Sequence, residues 1–330
     1  MSAPANSKLV IAIPSKGRLQ ENTSRFFARA GLDVVQGRGA RDYRGFLKQM
    51  PEVEIAFLSA SDIVAQLASG NVHLGVTGED LVRETVADAD DRFELLTPLG
   101  FGNANVVVAV PKAWIDVRNM SDLEDVAAAF RARRNGQRMR VATKYINLTR
   151  RFFAANGVGD YRIVESLGAT EGAPAAGQAE LIVDITTTGA TLEANALKVL
   201  DDGVMLRSEA NLVASLTAPW SEKARADARA LLTRISAEED ARTSREVRAY
   251  VPNKPRRTIR EAEERFGARA IYGMDGDIIR VVCPAGKAAD LAGWLIERGA
   301  QHVSVSALDY IFSAGNPLYD KLAKRLDAQG

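Results

Sequence analysis

The residues best suited to chemistry form one short run, Asp184-Ile185-Thr186-Thr187-Thr188-Gly189-Ala190-Thr191-Leu192. The apolar stretch LIVDI ends in an aspartate, and threonines and a glycine follow. A helix-periodic stretch then begins, with Leu192, Ala196, Val199 and Leu200 as its expected inward positions. The first N–H groups of such a helix have no intrahelical partner and carry partial positive charge, so an anion suits them. Gly189 lets a ligand approach the backbone and the hydroxyls add donors, so the loop can cage a phosphate without a lysine. Asp184, at the strand's end, can accept hydrogen bonds from a ribose diol beside that phosphate. A 5-phosphoribosyl group satisfies both halves of the motif. The competing reading is an ordinary strand-to-helix connection capped by a threonine.

A second candidate, Lys16-Gly17-Arg18, directly follows the first apolar strand, where an open α/β sheet exposes its ligand-binding loops. The alternative for these charges is a solvated loop. His73 and His302 are the only histidines; the first sits in an apolar strand and the second begins one, so both are expected to be structural. Cys283, the single cysteine, excludes an intrachain disulfide or a cysteine-rich zinc site and reads as a small buried hydrophobe.

These residues need elements to position them. Short β-branched runs recur at 9–14, 53–58, 72–78, 105–111, 140–143, 161–166, 181–185 and 211–216, with helical spacing between several of them. Near-continuous apolar strands alternating with helices imply mainly parallel sheets and an α/β fold. The stretch from about 112 to 140, with Asn119 to Asp122 as a helix cap, reads as a crossing into a second lobe, and NLVASL returns the chain to the first. The expected division is 1–111 with about 200–220 as lobe I, 112–199 as lobe II, 221–244 as a connecting helix, and 245–330 as a separate domain. That last domain reads βαββαβ, a ferredoxin-like unit with a turn at Asp275-Gly276, and its tail reads as a frayed helix.

Composition narrows the function classes. With 330 residues the chain has room for two or three domains. Its 43 basic and 42 acidic residues leave a net charge of +1, which argues against nucleic-acid or membrane-surface binding, so phosphate recognition must be local. The basic run 253–260, NKPRRTIR, is expected to be a loop and an exposed helix start. The opening residues show no charged leader before a long apolar core, and no apolar run approaches membrane-spanning length, so the expected location is cytoplasmic.

The pattern Glu171, Gly177, Ala179, Ile182, Asp184, Ile185, Thr188, Gly189, Thr191, Leu192 resembles the signature of the ATP phosphoribosyltransferases, the first enzymes of histidine biosynthesis. The likeness continues in IAIPSKGRLQENT, LGVTGEDLV, LGFGNANVVVAVP and RVATKYINLTRRFF, covering roughly residues 9 to 216 in order. It implies a two-lobed, periplasmic-binding-protein-like (type II) core in which adenine N1 of ATP attacks C1 of phosphoribosyl pyrophosphate (PRPP), expelling pyrophosphate with Mg²⁺ present. Glu171 and Asp184 would hold the ribose hydroxyls and act at the reacting centre. Thr187, Thr188, Gly189, Ala190 and Thr191 would hold the 5-phosphate. Lys16, Gly17 and Arg18 would contact substrate phosphates, and Asp80 in GVTGED would lie at the nucleotide site. For Asp80 the plainer alternative is a charge stabilised at a helix N-terminus. The Mg²⁺ would be bound mainly through substrate and water, with no metal ligand assigned in the protein.

One departure stands out. Many relatives carry a basic pair just before the position of Asp62, where this chain has Ser59 and Ser61; Arg38, Arg41 and Arg44 are candidate replacements. The C-terminal unit resembles the ACT-like domain of the long form, which implies L-histidine as feedback inhibitor and a homo-oligomer, dimer to hexamer. The competing roles are oligomer contacts alone, or a histidyl-tRNA-synthetase-like partner subunit as in the short form. The rival function of another class is a non-catalytic nucleotide- or phosphosugar-binding module of the same two-lobed fold.

Overall fold

The computed structural model describes residues 8–37, 43–166, 168–252, 255–271 and 276–328. They fall into two compact units. One holds the chain up to Arg25 together with Val34–Ser221, the other Phe26–Asp33 together with the chain from Glu222.

In the first unit the described strands are β1 (Val10–Pro14), β2 (Val34–Gln36), β3 (Arg44–Leu47), β4 (Met50–Leu58), β5 (Leu74–Gly78), β6 (Phe93–Pro98), β7 (Ala104–Pro111), β8 (Met139–Thr143), β9 (Tyr161–Glu165), β10 (Leu181–Thr186), β11 (Leu197–Ser208) and β12 (Ala210–Ser215). They build two sheets, β2-β3-β4-β1-β5-β12-β6 and β11-β7-β10-β8-β9. In the first, β1 runs parallel to β4 and β5, and Ile11, Ala12 and Ile13 are fully buried, as an apolar strand covered on both faces must be. In the second, β10 runs parallel to β8 and antiparallel to β7. This is the two-lobed arrangement expected, each sheet with its own apolar core.

The lobe boundaries differ from the expected ones. Strand β7 belongs to the second sheet, so the chain changes lobe between Pro98 and Ala104, not near residue 112. Gly100 and Gly102, at φ 72° and 70°, make the bend. The return falls between Ser208 and Ala210, where Ala210 N–H donates to Phe101 O and Leu99 N–H to Ala210 O, at 3.0 and 2.9 Å. The cause is β11. The helix begun at Ala190 stops at Ala194, Ala196 takes a left-handed φ of 55°, and Leu197–Ser208 pairs antiparallel with β7 where helix was expected. A short apolar run such as LKVL fits either period, and the pairing edge of β7 decides it. Strands β2, β3 and β6 were also absent from the sequence reading.

Two helix starts are legible in their capping. The Asn119 side chain accepts from Asp122 N–H while Asp122 Oδ2 accepts from Asn119 N–H, the reciprocal capping box expected for Met120–Arg133. Ser59, at one place of the missing basic pair, caps Ala60–Ala68: its hydroxyl accepts from Asp62 N–H at 3.2 Å and donates to the Asp62 carboxylate at 2.6 Å. Arg38 and Arg41 lie outside the described residues. Arg44 pairs with Glu54 at 2.8 Å on the neighbouring strand.

The second unit contains the helix Glu222–Thr243, β13 (Ser244–Tyr250), the helix Pro255–Phe266, β14 (Ile278–Pro284), the helix Ala288–Glu297, β15 (Gln301–Ser306) and the helix Pro317–Asp327. The sheet order is β14-β13-β15, all antiparallel, with a further bridge from Arg269 to Val282 on the outer side of β14. That is ferredoxin-like order with the second strand reduced to a bridge among the described residues. Asp275 of the expected turn, and Asn253 and Lys254 of the basic run, lie outside them. Cys283 is buried in the core with Val247, Ile279, Val281, Leu291 and Trp294, as a small hydrophobe should be. Among the described residues the tail is a docked helix, Pro317–Asp327, capped by Asn316 with Tyr319, Leu322 and Leu326 buried; its last two residues lie outside them. No helix of the described residues is long and apolar enough to cross a membrane.

Candidate functional site

At the C-terminal ends of β8 and β10 lies a cavity of about 440 Å³, lined among others by Lys144, Glu171, Asp184, Thr187, Thr188 and Thr191. This is where a parallel α/β sheet opens its loops to ligands. Asp184 reaches the cavity because alternation along β10 buries Val183 and turns Asp184 to the other face, half-buried. Its Oδ1 accepts from Ile185 N–H at 2.8 Å. Burial raises its pKa, the Ile185 N–H and the Lys144 cation work against that, and Glu171 adds to it. Glu171 arrives on a single 3-10 turn, Thr170–Gly172, entered through Ala169 at a left-handed φ of 50°.

The threonine loop is built by its own side chains. Thr186 Oγ1 accepts from Gly189 N–H at 2.9 Å, and Thr187 donates to Asn103 O at 3.1 Å, tying the loop to the lobe crossing. Gly189 holds a φ of 79° with nothing within 4 Å of a Cβ added there, so the backbone conformation alone demands glycine. The following helix, Ala190–Ala194, is barely more than one turn. Its dipole is correspondingly small, and anion recognition falls to loop N–H groups and hydroxyls more than the sequence suggested.

The structure thus brings Glu171, Asp184, Thr187, Thr188 and Thr191 together around one space, with Gly189 and Ala190 in the loop behind them. Lys16, Gly17 and Arg18 do not line this cavity; they are exposed at the C-terminal end of β1, with Gly17 at φ 73° opening the helix Gly17–Arg29. Asp80 stands in the first turn of the helix Glu79–Thr85, the plainer alternative for it, and does not line this cavity. It is only 7% exposed, and its two carboxylate oxygens accept from the hydroxyls of Ser208 and Tyr145, each at 2.8 Å. With both oxygens engaged it joins the two lobes and does not face the cavity. Glu84, one turn on, accepts from the N–H groups of Asn147 and Leu148 at 2.9 Å and so caps the helix Ile146–Ala155 across the same junction.

His73 has the structural setting expected of it: its Nδ1 accepts from Val10 N–H at 3.2 Å and its ring packs edge-on against Trp220, with burial lowering its pKa. His302 stands in β15 at a φ of 54°. Among the described residues no group of three or more His, Cys, Asp or Glu side chains could hold a metal ion. Sequence reasoning missed Lys144 and Tyr145. Their signal was position: they directly follow β8, which only the strand order places beside β10.

Fold and cavity together define a two-lobed α/β protein with carboxylates and hydroxyls gathered at strand ends in one lobe. The family model described as HisG, ATP phosphoribosyltransferase, matches residues 59–237. A protein of Nitrobacter winogradskyi named ATP phosphoribosyltransferase is 60% identical over 318 residues, which cover 96% of this chain and 98% of that one. Another with this name, from Bradyrhizobium diazoefficiens, is 58% identical over 324 residues, 98% of each. A solved structure, the ATP phosphoribosyl transferase (HisG:HisZ) complex from Thermotoga maritima, superposes with a TM-score of 0.51 at 26% identity, covering 69% of this chain and 96% of that one. The chain belongs to the ATP phosphoribosyltransferase family. Its activity is pentosyl transfer from PRPP to ATP in histidine biosynthesis.

Proposed function

We propose that the cavity at the ends of β8 and β10 binds PRPP and is where adenine N1 of ATP displaces pyrophosphate. The loop Thr187, Thr188, Gly189, Ala190 and Thr191 holds the 5-phosphate through N–H groups and hydroxyls. Asp184 and Glu171 accept hydrogen bonds from the ribose hydroxyls and sit beside the carbon that becomes positive as the C1–O bond breaks. The N1–C1 bond forms as pyrophosphate departs with the electron pair, so catalysis rests on positioning and charge stabilisation without a covalent intermediate on the protein. The supporting observation is the convergence of Asp184, Glu171 and three loop threonines on one cavity.

ATP enters from the side of Lys16, Gly17 and Arg18, where the Lys16 and Arg18 charges meet its phosphates, with Asp80 at the nucleotide site as well as at the lobe junction. Two carboxylates without a third ligand suit a magnesium ion carried on pyrophosphate and water, with Asp184 or Glu171 as its protein contact. When bound, the ion would neutralise the leaving pyrophosphate.

The ferredoxin-like unit carries feedback inhibition by L-histidine in a homo-oligomer, dimer to hexamer, working in the cytoplasm. The Thermotoga protein was solved with HisZ, so dependence on a partner subunit is the competing outcome. Purified protein with ATP, PRPP and Mg²⁺ should form an adduct with altered ultraviolet absorbance and release pyrophosphate without a partner. Millimolar histidine should slow it. No adduct, alone or with a short-form partner, overturns the catalytic reading; indifference to histidine overturns the regulatory one.

A further inference from the structure

Lys144 has no place in the assignments above, yet it is the one cation among the residues lining the cavity. Its location follows from strand register. Thr143, the last residue of β8, pairs with Val183 of β10 in a parallel ladder, so the next residues, Lys144 and Asp184, stand side by side at the ends of adjacent strands. Partners in register point to the same face of a sheet, and here both side chains reach the cavity. The Lys144 ammonium lies 5.1 Å from the centroid of the Tyr145 ring, a cation–π distance, and the Tyr145 hydroxyl is anchored on Asp80 at 2.8 Å. Lys144 is exposed and makes no ion pair within 4.0 Å among the described residues, so its charge remains available to a ligand.

PRPP brings three groups to this space, and the preceding assignments use two. The 5-phosphate takes the threonine loop, and the ribose hydroxyls take Asp184 and Glu171. Neither carboxylate can hold the third group, the pyrophosphate on C1, by direct contact, because like charges repel unless a cation stands between them. A flexible lysine is a compact, strongly hydrated point charge that tracks phosphate oxygens as they move. We propose that Lys144 binds the pyrophosphate of PRPP and stays with it as it leaves, opposing its growing negative charge. The inference rests on the reading of this cavity as the PRPP site and adds the residue for its leaving group. Because charge on pyrophosphate increases toward the transition state, Lys144 should affect turnover as well as affinity.

The two halves of PRPP can be probed separately, with ribose 5-phosphate for the sugar end and magnesium pyrophosphate for the leaving group. Calorimetric titration of the full-length enzyme, wild type, Lys144→Met, Lys144→Arg and Asp184→Asn, reads each half. Lys144→Met should weaken pyrophosphate binding about tenfold or more, the scale of a lost charge-assisted hydrogen bond, and leave ribose 5-phosphate binding within about twofold. Lys144→Arg should recover most of the pyrophosphate affinity. In steady state, Lys144→Met should lower kcat and raise KM for PRPP while KM for ATP stays near its wild-type value. Unchanged pyrophosphate affinity in Lys144→Met overturns the proposal. So does equal loss of both probes, which would make Lys144 a general support of the cavity. Asp184→Asn separates the underlying reading: if it leaves ribose 5-phosphate binding unchanged, the cavity assignment fails, whatever Lys144→Met does to pyrophosphate.

Discussion

The Tyr145 hydroxyl donates to Asp80 Oδ2 at 2.8 Å, joining a residue that ends the β8 strand connection of lobe II to the helix Glu79–Thr85 of lobe I. Burial and the adjacent Asp80 carboxylate push the phenol's pKa far above its ordinary range, so it is a permanent donor. Asp80 Oδ1 takes the Ser208 hydroxyl, and Ser208 Oγ accepts Asp80 N–H at 3.0 Å. The residue two past β8 and the last residue of β11, where the chain returns to lobe I, thus meet at one buried carboxylate.

Tyr145→Phe should therefore act on stability before chemistry. It removes one donor from a buried anion and should cost about 1–3 kcal/mol in denaturant unfolding. Because the ring also lies under Lys144, KM for PRPP should rise modestly. An unfolding midpoint equal to wild type would mean that water replaces the phenol freely.

Asp184 should give PRPP binding an acid limb. Only the ionised carboxylate accepts hydrogen bonds from both ribose hydroxyls, so affinity is full above its pKa and falls as pH drops through it. Since burial raises that pKa, the fall should begin above the ordinary aspartate value of about 3.9. Titrations across pH should show a larger limb in wild type than in Asp184→Asn, which keeps only the Glu171 carboxylate. Lys144→Met should move it to higher pH, because a neighbouring cation lowers the Asp184 pKa. Coincident wild-type and Asp184→Asn profiles would remove Asp184 from the site.

Glu180 has a pKa shift of the opposite sign, and it bears on stability. Burial works to raise its pKa, but Arg140, whose Nη2 is 2.7 Å from Oε1 and whose backbone N–H is 2.6 Å from Oε2, lowers it below the ordinary range. A depressed carboxylate contributes stability above its unfolded pKa and loses it as pH falls through the folded one. Both side chains are partly exposed, so Glu180→Gln should cost about 1 kcal/mol near neutral pH. The difference from wild type should vanish once the solution is more acidic than the folded Glu180 pKa. A difference that persists there would assign the cost to packing.

Gly189→Ala tests backbone against space. The added methyl meets nothing within 4 Å, so only the left-handed φ of 79° resists it. Stability should fall by about 1–2 kcal/mol. PRPP affinity should fall further than that strain alone accounts for, because relaxing the loop moves its N–H groups. A wild-type KM for PRPP would separate loop conformation from phosphate binding.

Much of this was legible before the fold was known, and the parts that were not have physical reasons. Apolar β-branched runs marked β1, β5, β7, β8, β10 and β12, where burial on both faces imposes that composition, and β4 and β9, which are less deeply covered. Reciprocal side chains marked the Asn119 cap. Strand β11 was hidden because LKVLDDGVMLRS has no single period, its ladder shifting register between Val199 and Val204. Around the site, DITTTGAT carried its own signal, since adjacent residues build the loop. Lys144 gained meaning only from the parallel register of β8 and β10, and Asp80 from Ser208, which lies 128 residues away. Local chemistry was readable, whereas groups delivered by strand order were not.

The central claim is that the cavity beside Asp184 holds the phosphoribosyl group. Calorimetric PRPP binding to wild type and Asp184→Ala, with unfolding of both followed in parallel, tests it most directly. The predicted result is an affinity loss of about tenfold or more with nearly unchanged stability, since Asp184 is half-buried and bonds only to its own neighbour's N–H. Undiminished PRPP affinity in a folded Asp184→Ala protein would contradict it.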